Sequence, residues 1–218
     1  MIVKRSKRTE AYTFLGRNRR ILEKIPEIAK KLPDGFKVLH IGPGLPIQGM
    51  PPETAELLYH LRKTGKEHEI HVIDINKEVL RSLKEKEVIH WKERNKKEED
   101  EISKYAKRLF GEDLKDSKDY LQVKIPRRLR KRIKKKFHDI VSKPMDREYD
   151  LIIFNNPTTP LETTNLKLKP EERMRKLAEN LYKSLKAGGT LIFRAIGGEK
   201  ELIEQGFKRV SSEVYKKY

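Results

Sequence analysis

The chain has 218 residues, no cysteine and a formal net charge of +18, with 36% hydrophobic and 39% charged residues. That length suits a single domain, the missing cysteine excludes disulfides and thiolate catalysis, and no run approaches the roughly 20 apolar residues of a membrane span. The charge favours an anionic partner, although abundant Lys and Glu with scarce Gln also fit the solvated surface of a thermophile protein.

The basic N-terminus, "MIVKRSKRTE", has no apolar stretch, so no signal peptide and a cytoplasmic location are expected. Residues 1–35 read as an N-terminal helical segment. Phe14, Ile21, Ile25 and Ile28 recur at helical spacing, and Pro26 divides two short helices. "FKVLHIG" is a short buried strand, and "PETAELLYHLRKTG" is a helix with Pro52 near its start and Gly65 at its end. "HEIHVIDIN" is a second strand ending at Asp74, followed by the helix "KEVLRSLKEK". Residues 92–136 break the rhythm. They read as a charged surface insertion with few core residues, helical over 99–110 and then a loop. "YDLIIFNNP" resumes with a strand, followed by an amphipathic helix stopped at Gly188 and Gly189, the strand "TLIFRAIG" and a final alternating stretch that suits edge strands. Continuous apolar strands separated by helices predict an α/β fold: a Rossmann-like, doubly wound, mostly parallel sheet within one domain, 1–218.

Ligands in such a sheet sit at the carboxyl ends of the strands. Gly42, Pro43 and Gly44 follow the first strand, and a glycine there lets backbone approach a ligand closely. The stretch is not the dinucleotide fingerprint, because Ile47 stands where its third glycine would be. Asp74 closes the second strand, where a carboxylate can accept from ribose hydroxyls. It can equally cap the next helix, unless Asn76 takes that task. Asp139 follows a short strand over 136–138 and could take an adenine amino group, with Ile140 against the ring; a solvent-facing loop acid is the alternative. Ile75 and Asn155, also at strand ends, complete the candidate cofactor set. His68 and His71 fall on opposite faces of their strand, so no metal site is expected.

Glycines after strand one and acids after strands two and three together resemble the ordered pattern of class I S-adenosylmethionine methyltransferases. "LKAGGTLIF" resembles the turn before their fifth strand. More particularly, "TFLGR" (13–17), "VLHIGPGLPIQGMPPETAELL" (38–58), "HVIDINKEVL" (71–80) and "YDLIIFNNP" (149–157) resemble segments of the chemotaxis-receptor (CheR-type) methyltransferases, without their N-terminal helical domain. The resemblance implies S-adenosylmethionine as cofactor and a small-molecule or protein methyl acceptor. It places Arg17 towards the cofactor or acceptor, Glu53 at the methionine amino end, Asp74 on the ribose and Asn156 beside the transferred methyl. Pro160 stands where that family has an aromatic, which puts receptor-glutamate methylation in doubt. "NNPT" also weakly resembles the Asn/Asp-Pro-Pro-aromatic motif of amino-group methyltransferases.

Two other functions remain open. Residues Lys124–Lys136, "KIPRRLRKRIKKK", set Ile125, Leu129 and Ile133 on one stripe of an otherwise cationic segment, which could track a phosphate backbone in a nucleic-acid methyltransferase. A non-catalytic protein that keeps the fold and binds S-adenosylmethionine is the other.

Overall fold

The structure is a computed structural model that describes residues 12–13, 15–92, 96–155, 168–194 and 197–218. The chain opens with β1 (Tyr12–Thr13), α1 (Arg19–Leu22) and α2 (Ile25–Lys30). Pro26 lies in the first turn of α2, where its missing N–H costs nothing, so the two helices divide as their spacing predicts. Next come β2 (Phe36–Ile41), β3 (Leu45–Pro46), α3 (Pro52–Arg62), β4 (His68–Asp74) and α4 (Lys77–Ser82).

The main sheet has seven strands. It adds β8 (Ile133–Phe137), β9 (Tyr149–Phe154), β10 (Leu185–Phe193), β11 (Phe207–Ser211) and β12 (Val214–Lys217), in the order β11-β12-β10-β9-β2-β4-β8. Strands β10, β9, β2, β4 and β8 pair in parallel, and β12 runs antiparallel between β10 and β11. This is the doubly wound, mostly parallel sheet predicted, with the alternating C-terminal stretch forming its far edge. The chain builds outward from β2 to β4 and β8, then returns to place β9 on the other side of β2. The strand order therefore reverses between β2 and β9, and the carboxyl ends of such strands are where the ligand crevice of a doubly wound sheet lies.

The strands look continuously apolar because both faces are covered. Val38, Ile70, Val72, Leu151 and Ile153 face one cluster with α2 and α3. Their neighbours Leu39, Ile73, Ile152 and Phe154 face the other, against Met174, Leu177 and Leu181 of α7 (Pro170–Ser184). A short helix, α8 (Glu199–Glu204), precedes β11. No helix among the described residues is long and apolar enough to cross a membrane.

Residues 92–136 differ from the expected surface loop. They contain α5 (Lys96–Phe110), β6 (Leu114–Asp116), β7 (Tyr120–Lys124) and α6 (Arg127–Arg130). Strand β7 pairs antiparallel with both β6 and β5 (Glu87–Trp91), making a separate three-stranded sheet. Tyr105, Ala106, Leu109, Phe110, Leu121 and Val123 join the cluster under α3, so the segment is core-bearing. Ile125 and Leu129 do turn inward, as their spacing suggested. They do so from a loop and one helical turn, after which β8 begins, so the cationic run is not one continuous helix.

Gly49 docks this small sheet onto the loop after β2. Its φ is +81°, and a Cβ there would lie 2.3 Å from the Glu87 carbonyl oxygen, which also accepts from the Met50 amide at 2.8 Å. Gly35 has a similar φ of +70° but open space around it. Gly49→Ala is therefore expected to destabilise the protein by roughly 3 kcal/mol or more, through strain plus clash, and Gly35→Ala by about 1–2 kcal/mol. Urea denaturation of the two variants checks this; equal losses would remove the docking role.

Candidate functional site

Three elements meet at the crevice between β2 and β9. His40, near the end of β2, is fully buried. Glu53 lies in the first turn of α3, where the exposed N–H groups and dipole of a helix start favour a carboxylate. Asn155 follows the last residue of β9. Glu53 is only 3% exposed, yet its carboxylate is well satisfied. Its Oε1 accepts from Asn155 Nδ2 at 3.0 Å and lies 3.0 Å from His40 Nε2, and its Oε2 accepts from Asn18 Nδ2 at 2.6 Å. Thr54 Oγ1 lies 3.3 Å from His40 Nδ1, and the Arg194 guanidinium donates to Asn18 Oδ1 at 2.8 Å.

The carboxylate fixes how Asn155 is turned. An ionised carboxylate only accepts, so the Asn155 NH2 group must face it and the amide oxygen must face away. That oxygen is buried and, like Thr13 Oγ1 in β1, has no hydrogen-bond partner among the described residues. A buried acceptor left unpaired costs about 1–3 kcal/mol, and a ligand N–H or O–H would recover it.

The glycine loop is covered. Residues 42–44 are buried, and β1 pairs in parallel with β3 directly after them. Gly42 and Gly44 have φ of +61° and +83°, and the Gly42 amide donates to the Ile73 carbonyl at 3.0 Å, tying the loop to the end of β4. At that end Asp74 Oδ1 accepts from the Asn76 amide at 2.7 Å, while Asn76 caps α4 by accepting from the Glu78 amide at 2.8 Å. The capping task thus falls to Asn76. Burial pushes Asp74 up to about 6, opposed by the amides of Asn76 and Ile75 and by His40.

Both carboxylate oxygens of Asp139 are engaged within its own turn, by the Val141 amide at 2.9 Å and the Ser142 hydroxyl. Ile140 packs in the cluster with Ile73. Arg17 is half-buried in the turn before α1, next to Asn18. Asn156, Pro157, Thr158 and Pro160 lie outside the described residues. His68 stacks on Phe36, and His71 bonds Tyr149 Oη at 2.9 Å. Asn18 and Arg194 were not singled out from sequence, because nothing local marks them.

A second buried group sits one turn further along α3. Glu56 is 1% exposed; its Oε1 accepts from the Gly16 amide and its Oε2 from Tyr105 Oη, both at 2.8 Å. Tyr105 Oη in turn lies 3.1 Å from His60 Nε2. Burial lifts Glu56 from 4.5 to about 8, outweighing those two hydrogen bonds, and pushes His60 from 6.5 down to about 4.

The cationic segment is largely occupied by internal contacts. Lys134 pairs with Glu69, Lys135 donates to the Leu80 carbonyl at 2.7 Å, and Lys136 pairs with Asp146. These three lysines line β8, the open edge of the main sheet, where charge discourages pairing with another chain.

No protein-family model matches this sequence, and no curated protein matches it. Similar solved structures include the N-methyltransferase NodS from Bradyrhizobium japonicum WM9, at 15% identity and a TM-score of 0.48, covering 91% of this chain and 92% of that one. The glycopeptide N-methyltransferase MtfA with S-adenosylmethionine is 14% identical with a TM-score of 0.42, covering 88% and 58%. TrmN from Thermus thermophilus is 12% identical with a TM-score of 0.46, covering 90% and 48%. Likeness at this level concerns the backbone frame and assigns no substrate.

The two shifted groups on α3 predict opposite pH effects. An acid raised on folding favours its neutral form, so its contribution is complete below pH 4.5 and is lost as pH rises towards 8. A histidine lowered on folding contributes fully above pH 6.5 and loses that contribution as pH falls towards 4. Glu56→Gln should therefore match the parent near pH 5 and melt several degrees higher near pH 8. Calorimetric melts across that range test it, and parallel profiles would show that Glu56 titrates normally.

Proposed function

We propose that the chain is an S-adenosylmethionine-dependent methyltransferase. The observation that carries this reading is the crevice at the strand-order reversal. It presents a covered glycine loop, a part-buried acid at the end of β4, and an asparagine oxygen fixed outward with no donor. S-adenosylmethionine fits those groups: its ammonium and ribose hydroxyls are donors, and its sulfonium is a cation among carboxylates. The cofactor would supply an activated methyl group for in-line displacement at carbon.

The chain's own residues would bind, align and exclude water. Asp74 would accept from the ribose hydroxyls, flanked by Ile75. Asn155 Oδ1 would accept a ligand N–H, held in that orientation by Glu53. Gly42, Pro43 and Gly44 would set the backbone close to the cofactor. Glu53 acts here as the post that orients Asn155, His40 and Asn18 rather than as an open ligand group, because two donors and the His40 ring already surround it. Arg17 and Asn156 are proposed at the acceptor side, by the CheR-like resemblance. Asp139 and Ile140 would contact the adenine only if the turn holding the Asp139 carboxylate rearranged, so they are the weakest members of the set. The same resemblance puts small-molecule or protein acceptors first.

Isothermal titration with S-adenosylmethionine and S-adenosylhomocysteine tests the reading. Binding should be measurable for both, and Asp74→Ala should weaken it by about tenfold or more, the loss of hydrogen bonds to a charged group. Absence of binding to either would remove the proposal, and unchanged affinity in Asp74→Ala would remove the ribose assignment.

A further inference from the structure

A cleft lies at the opposite edge of the sheet from the crevice. It has a volume of about 270 Å³ and is lined by Arg62, Gly65, Lys66, Arg128, Leu129 and Arg132. Arg62 ends α3, and residues 65–66 lead into the start of β4. Arg128 and Leu129 belong to α6, and Arg132 precedes β8. The seven residues of β4 separate this cleft from Asp74, a distance of about 20 Å along an extended strand.

We infer that this cleft holds a phosphate of a nucleic-acid backbone. Four cations line it and no acid does. Arg132 pairs with Glu67 at 3.1 Å and Lys66 donates to the carbonyls of Lys30 and Leu32, so these two are held in place. Arg62 approaches Asp113 only at 3.7 Å, and Arg128 makes no hydrogen bond or ion pair among the described residues. The Arg128 fork is thus open beside Arg62, whose ion pair with Asp113 is long, and beside two anchored charges, an arrangement suited to phosphate oxygens. Lys124, Arg127 and Lys131 extend the same charge along the chain, also without partners among the described residues.

The neighbouring hollow shows the contrast. It measures about 510 Å³ and shares Arg62, but it also carries Glu112 and Asp113, and Tyr59 donates to Asp113 at 2.7 Å. Its lining carries its own acids, whereas the lining of the smaller cleft carries none among the described residues. An acidic peptide is the less suitable occupant. Peptide docking draws on apolar anchors seated in pockets, and the one apolar residue here, Leu129, is only 3% exposed and gives a side chain nothing to grip. No aromatic lines the cleft, so the backbone and not the bases would be read.

This inference concerns binding and stands apart from methyl transfer, so it is tested on the full chain without cofactor. Fluorescence anisotropy with labelled single-stranded RNA and DNA of about twelve nucleotides, and with a glutamate-rich peptide of similar charge, reads it. The titrations run from about 50 to 200 mM salt. Arg62→Glu with Arg128→Glu should weaken nucleic-acid binding about tenfold or more and lower the log–log salt slope by about 0.7, the value for one single-strand phosphate contact. Lys200→Glu with Lys208→Glu makes the same change of net charge far from the cleft and should leave the slope intact. If the double cleft variant fails to fold, Arg128→Ala removes no described contact and should lower the slope by about 0.7. An unchanged slope in the cleft variants, an equal loss in the remote control, or peptide binding as tight as RNA would each overturn the assignment. The RNA and DNA arms show which polymer supplies the phosphate.

Discussion

The buried carboxylate of Glu53 is the constraint around which the carboxyl edge of this protein is arranged. Burying an ionised carboxylate without partners is prohibitively costly. Here the cost is offset by an amide from the N-terminal segment, a ring from β2, an amide from the end of β9 and the start of the helix that carries it. Each partner gains a fixed orientation in return. His40, near the end of β2, sits beside the acid of the following helix, thirteen residues on in sequence.

Glu53 and Glu56 share one face of α3 and hold the N-terminal segment through different groups, the side chain of Asn18 and the amide of Gly16. The wall over the crevice is therefore fastened at two points to the helix that follows the glycine loop. One fastening is a charged network and the other a carboxyl that burial keeps protonated through neutrality. The cationic surface is divided in a comparable way. Lysines on β8 guard a sheet edge, while Arg128 in α6 has no hydrogen bond or ion pair among the described residues.

Elements with a clean period were legible from sequence. β4 ends at Asp74 and α3 starts at Pro52 because apolar repeats and a proline mark those boundaries. The small sheet was not legible. "EVIHW" and "YLQVK" do alternate, but dense charge around them hides a period of two over five residues. Ile125, Leu129 and Ile133 suggested one helix because spacings of four also suit a turn leading into a strand. Within the crevice, Asp74 and Asn155 stand out because strand ends are recognisable, and Glu53 through the family resemblance at the start of α3. Asn18 and Arg194 do not, since their contacts join residues 35 and 176 positions apart, and no local pattern carries such information.

That last separation has a consequence for synthesis. Asn18 leaves the ribosome well before Arg194, which follows the strand that completes the parallel part of the sheet. Until the latter emerges, Asn18 lacks the guanidinium on its oxygen, 176 positions on, while Glu53 waits on Asn155, 102 positions on. Closing a loop of that size is entropically slow. The crevice is consequently assembled at the end of folding, so a truncated or stalled chain would bury much of its core and still present an open, unfinished N-terminal wall.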